Sequence, residues 1–179
     1  MPTSARLAEI HRDYQAARVQ FHRVLDSLAA EQASARSLNP GWTNGQVMFH
    51  ITLGFMIMPA LVSIIWLFGH LPDWVSKAFA WLLDASTPFF NWINGLAPRG
   101  AVKVFHGQRL AHRFDGAIDA ALKTAGWIKP SDWGLSMHYP HRWDPMFKED
   151  MTISHLYDYM LQHMQFHLGQ LSVPLHAQD

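Results

Sequence analysis

Between Ile51 and Gly69 the chain runs for 19 residues without one ionisable side chain. A helix of that length and composition has two homes, a bilayer or the inside of a folded protein. Three features favour the second. Pro59 stands mid-segment, no Lys or Arg flanks the run until Lys77, and the run begins beside His50, a polar residue on an inward stripe. More apolar sequence follows in Trp74, Phe79, Trp81, Leu82, Phe89 and Trp92, punctuated by Pro72, Pro88 and Pro98. The pattern predicts a long helix, a further helix over about 73–83 and a turn region, together an apolar insertion at about 55–99. The 51–69 stretch is expected to pack mostly inside the protein. The insertion is expected to serve as extra core or a homodimer interface, with membrane contact the less favoured alternative, and its hairpin beyond Trp66 can remain exposed.

The rest of the chain reads as amphipathic helix. Leu7, Ile10, Tyr14, Ala17, Phe21, Val24 and Leu28 recur in steps of three and four, a seam for a first helix over about 4–33. Asn39-Pro40-Gly41 marks a turn, and Thr43 with Gln46 forms a capping-box pattern that opens the second helix. A third helix is expected over about 101–125, with Leu110, Phe114, Ala117, Ile118, Ala121 and Leu122 inward and Gly126 ending it. Residues 127–150 read as an aromatic loop that roofs one end of the bundle. Asp150 or Thr152 then caps a last helix, which stops before Pro174. No strand-like alternation is visible, and 179 residues suit one domain, 1–179.

Fourteen basic and fourteen acidic residues cancel, and no basic stripe is present, so nucleic acid is not an expected partner. With no cysteine there is neither a disulfide nor a thiol nucleophile in the chain. The opening residues carry Arg6, Glu9, Arg12 and Asp13 instead of an apolar leader, and a cytoplasmic location is expected.

Twelve histidines are present, and their placement matters more than their number. His163, His167 and Gln170 stand at i, i+4 and i+7, which stacks them along one helical stripe beside Leu156, Met160, Met164 and Leu171. Two imidazoles so spaced can converge on one ion, but two ligands seldom suffice. His50 shares an inward stripe with Val47, Ile51, Gly54 and Met58, and Gly54 leaves the space beside it open. It is the candidate third ligand, and Gln170 the candidate outer partner. His138 and His141 in the loop are candidates for a catalytic base or further ligand. His22, His112 and His155 are expected to be exposed and distant.

Trp42-Thr43-x6-His50 at the entry of the second helix, with His163-x3-His167-x-Gly169-Gln170 on the last, resembles the DinB/YfiT-like family of metal-dependent helical-bundle proteins. The resemblance spans the chain in order. It implies an all-α four-helix bundle with a long crossover and one divalent ion held by His50, His163 and His167. In the commonest form of the family a basic residue follows the last histidine, where this chain has Leu168. An acidic residue is also frequent near the second-helix entry, where Asn44-Gly45-Gln46 stands here. Characterised relatives are transferases and isomerases that use low-molecular-weight thiols, so a small-molecule substrate is implied. Neutral imidazoles suit zinc or nickel best, and admit iron or manganese. Three protein ligands leave a position for water or a thiol, the arrangement of a catalytic rather than a structural site. No cluster of Arg or Lys is placed to grip a thiol cofactor's carboxylates. Two functions are therefore expected: a metal-dependent thiol S-transferase or hydrolase type of enzyme, or a non-catalytic metal-binding bundle that serves stability, sensing, or a partner or membrane.

Overall fold

The computed structural model describes residues 3–102, 104–140, 143, 144 and 146–173. Seven α-helices dominate these residues: α1 (Thr3–Ser27), α2 (Ala30–Ser34), α3 (Asn44–Phe68), α4 (Asp73–Ala85), α5 (Thr87–Ala101), α6 (Gly107–Trp127) and α7 (Ile153–Leu168). Four long helices pack in a ring, α1 on α6, α6 on α3, α3 on α7, and α7 back on α1.

Side-chain pairs fix the helix directions. Arg6 meets Asp158 and Gln20 meets Gln165, so α1 and α7 run the same way. His22 lies beside Asp115 and Arg18 beside Asp119, so α6 opposes α1. Asn44 meets Ser172 and His50 meets His163, so α3 opposes α7. Phe49–Phe105 and Phe55–Phe114 place α3 and α6 parallel. Two parallel neighbours need a return connection, and α4 and α5 supply it. This is the long crossover expected of the bundle.

The predicted seams are the core. Tyr14, Phe21, Phe55, Phe114, Ile118 and Tyr157 are fully buried, with the Phe21 and Phe114 rings stacked at 3.8 Å. Buried hydroxyls find acceptors, as they must. Tyr14 donates to the Tyr157 carbonyl at 3.1 Å, and Tyr157 to the Ala121 carbonyl at 2.9 Å. Caps follow the sequence as well. Thr43 Oγ1 accepts from the Gln46 amide while Gln46 Oε1 accepts from the Thr43 amide. Thr152 caps α7 by accepting from the His155 amide at 2.9 Å. Gly41, at φ +85°, takes the left-handed turn of the Asn39-Pro40-Gly41 loop.

Several boundaries differ from expectation. The first helix breaks after Ser27, because Gln32 Oε1 accepts from the Ala29 amide and starts α2 afresh. Residues 87–101 are not a turn region but α5, with Pro88 in its first turn, where its missing N–H costs nothing. The third bundle helix begins at Gly107, six residues later than expected, where φ of +51° separates it from α5. It also continues past Gly126 to Trp127. Two three-residue strands, β1 (Ser136–His138) and β2 (Asp150–Thr152), pair antiparallel with Met137 opposite Met151. They are too short for a readable alternation.

The 51–69 stretch is buried on one face rather than throughout. Ile51, Phe55, Met58, Val62 and Ile65 form the core stripe of α3, while Met56, Ile57, Trp66 and Leu67 are exposed. By length and composition α3 is the one helix among the described residues that could cross a membrane. Beyond it Leu71, Trp74, Trp81, Leu82, Phe89 and Trp92 are exposed on the insertion.

Candidate metal centre

His50 is carried by the second turn of α3, and His163 and His167 by successive turns of α7. Because α3 and α7 are antiparallel neighbours, the three imidazoles meet between them. His163 Nε2 lies 3.2 Å from His50 Nε2 and 3.1 Å from His167 Nε2. All three rings are buried, and one ligand atom from each lies within 4.8 Å of the others. The cluster can hold a metal ion.

Its electrostatics keep it uncharged. Burial lowers the pKa of His50 to about 3 and of His163 to about 2, each lowered further by its imidazole neighbours. His167 is also lowered by burial, against an opposing bond to Gln170. Neutral imidazole is the form that binds a cation.

The proton positions fit the same use. Gln170 Oε1 can only accept, so His167 Nδ1, at 2.8 Å, donates to it and leaves the Nε2 lone pair free. Asn39 Nδ2 donates to the same oxygen at 2.9 Å and holds the amide in place. His163 Nε2 faces two nitrogens, yet a neutral ring with its proton there can donate to only one. The Nδ1 atoms of His50 and His163 are buried with no hydrogen-bond partner. A cation between the three Nε2 atoms would engage all three lone pairs at once. The donor set and its convergence therefore fit one divalent ion.

Packing explains why the rings can approach. A Cβ built on Gly54 would lie 2.9 Å from Met160 Cε and 3.6 Å from the His163 ring, so glycine here spares the Met160 tip a displacement and leaves the His163 ring its space. Trp42 covers the other side, its ring centroid 4.8 Å from that of His50 and 6.4 Å from that of His167. Asn44, fully buried, ties the start of α3 to the end of α7. Its Nδ2 donates to Ser172 Oγ at 3.1 Å and its Oδ1 accepts from the Ser172 amide.

The cluster opens on a cavity of about 610 Å³ between α3, α7 and the loop before β2. Leu53, Ile57 and Leu61 form one wall, Trp143, Met146 and Phe147 another. Tyr159 and Asp144 complete it, with the Tyr159 hydroxyl donating to Asp144 Oδ2 at 2.7 Å. Burial and the Asp144 carboxylate raise the Tyr159 pKa well above its usual value, so the phenol stays protonated.

The other histidine candidates from the sequence do not join this cluster where they are described. His138 does not line this cavity. Its Nε2 is 2.8 Å from Asp73 and its Nδ1 3.2 Å from Asp150, a bridge from α4 to β2 between two carboxylates. It is thereby set aside as a base or ligand here. His141 lies outside the described residues. His112 is exposed as expected. His22 and His155 are half-buried instead, His22 against Asp115 and His155 in the cap of α7. Tyr159, four residues before His163, was readable from the same stripe. Asn39 and Asp144 carried no such signal, because loop residues have no periodicity to place them.

No curated protein and no solved structure matches the chain. A family model described as the DinB superfamily matches residues 54–171 and so includes His163, His167 and Gln170, while His50 stands four residues before its start. The match covers more than half of the sequence, and it takes in the His163 and His167 that meet His50 between α3 and α7: this chain belongs to the DinB superfamily.

Proposed function

We propose that His50, His163 and His167 bind one divalent ion, zinc or nickel before iron or manganese, and that the centre activates water or a small thiol against an electrophile. The observation that carries this is the convergence of three neutral Nε2 atoms at the floor of an open cavity. A closed structural site would take a fourth protein ligand, and among the described residues the cluster consists of the three histidines beside the cavity, which leaves that position to a small ligand. When bound, such an ion would supply Lewis-acid polarisation that favours loss of a proton from water or thiol at neutral pH.

The chain's own residues do the rest. Gln170 and Asn39 orient His167, Gly54 admits His163, and Trp42 shields the floor from solvent. The apolar walls exclude water from the reacting groups, which strengthens every electrostatic contact inside. The test is a panel of small thiols against a common electrophile, run with metal-free protein, reconstituted protein and His163→Ala. Acceleration only in the reconstituted wild type supports the enzyme. Equal rates in all three overturn it.

The exposed apolar side chains of α4 and α5 favour a second reading, in which the bundle is a non-catalytic metal-binding module that docks through its insertion. Full metal occupancy without any thiol or hydrolytic turnover would select it.

A further inference from the structure

The apolar run of α3 has more faces than the bundle core uses. Phe55, Met58, Val62 and Ile65 serve the core. Leu53, Ile57 and Leu61, at i, i+4 and i+8, form a second stripe that the core leaves half-buried or exposed. That stripe is the wall of the histidine cavity, and it faces Trp143, Met146 and Phe147 across about 610 Å³, the size of a small-molecule site. The three imidazoles line the same cavity, with the Tyr159 ring centroid 5.4 Å from that of His163.

Charge narrows the occupant further. Among the described lining residues there is no Arg or Lys, and the one carboxylate is Asp144. Both Asp144 oxygens are engaged, Oδ1 accepting from the Met146 amide at 2.8 Å and Oδ2 from Tyr159, so the carboxylate is fixed in the wall. An anionic ligand would lose its hydration against hydrocarbon and meet a fixed negative charge.

We infer that this cavity takes a small molecule with an apolar, non-anionic body, laid along Leu53, Ile57 and Leu61 with its polar head toward the imidazoles. The inference deepens the reading of the site as a metal centre and rests on it for the role of the head. A hydrophilic thiol carrying carboxylates is the wrong class for these walls.

Two arms test it and separate its failure from that of the metal reading. In the first, metal-free protein is titrated with neutral N-phenyl-1-naphthylamine and with its sulfonated analogue 8-anilino-1-naphthalenesulfonate. The neutral dye should bind at least tenfold tighter. Ile57→Glu, at a position 45 % exposed and so tolerant of the change, should weaken the neutral dye at least tenfold. Trp81→Lys, on the outer face of α4, should leave it within twofold. In the second arm, cobalt-loaded protein is titrated with hexanethiol and with 6-mercaptohexanoate while the visible absorption is followed. Hexanethiol should bind at least tenfold tighter, and Ile57→Lys should narrow or reverse the preference. Equal or tighter binding of the anionic member in either arm overturns the inference, as does dye binding lost in Trp81→Lys but kept in Ile57→Glu. Failure of cobalt to bind, with the neutral-dye preference and its Ile57 dependence intact, overturns the metal reading and leaves the cavity's selectivity supported.

Discussion

At the scale of single residues, the three imidazoles are held neutral by burial, and this has a pH signature. Their folded pKa values lie below the value of about 6.5 that each takes in the unfolded chain. A depressed histidine leaves stability intact above that pH, and stability falls as pH drops, because the unfolded state takes up protons that the folded state refuses. The slope is at most about 1.4 kcal/mol per pH unit for each such histidine. The urea midpoint of metal-free protein should therefore fall between pH 7.5 and 5.5, and fall less in His163→Ala. An unchanged midpoint in the wild type would show that the rings are not held neutral. Gln170→Ala removes the acceptor that fixes the His167 tautomer, and metal affinity should drop about 10–100-fold by competition titration. Gly54→Val must displace the tip of Met160, since even a Cβ comes within 2.9 Å of its Cε, and the added methyls extend toward a His163 ring that a Cβ alone already meets at 3.6 Å. It should cost about 1–3 kcal/mol in urea unfolding and weaken the metal as well.

Elements were legible wherever one periodicity ran long enough. The inward residues of α1, α6 and α7, the capping box at Thr43, a cap at Asp150 or Thr152, and the helical stripe of His163 and His167 were all readable from short-range spacing. The misses have physical reasons. Nothing in Leu28-Ala29-Ala30 disfavours helix, and the break there depends on Gln32 reaching back to an amide. Pro88 and Pro98 read as punctuation, yet one sits where a helix tolerates proline and the other near the end of α5. Asp144 and Asn39 reach the site through loops whose course only tertiary packing sets. On α3, the core stripe and the cavity stripe overlap in one apolar run, so the sequence showed burial without showing two destinations for it. At this scale Thr43→Ala should cost about 1 kcal/mol of unfolding free energy, from loss of the cap that starts the histidine-bearing end of α3. A chemical-denaturation midpoint unchanged from wild type would contradict that.

On the scale of the whole molecule, two antiparallel helices bring residues 50 and 163 together, more than a hundred positions apart in the chain, and a crossover through α4 and α5 makes that pairing topologically accessible. The bundle core is independent of the cluster, since Phe21, Phe114, Tyr14 and Tyr157 pack without it. The fold should accordingly outlast the loss of any one ligand. Whether these three histidines form one metal site is decided by metal content. Protein prepared without a histidine tag is equilibrated with zinc, freed of excess, and analysed for elements alongside His50→Ala, His163→Ala and His167→Ala, each shown to be folded by circular dichroism. His50 is the informative position, because it lies outside the residues that the family model matches. One zinc per wild-type chain is expected, with a loss of at least 100-fold in affinity for each variant, the His50 variant included. A wild type that retains no metal, or a folded His50→Ala protein that holds zinc as tightly as the wild type, would contradict the three-histidine site.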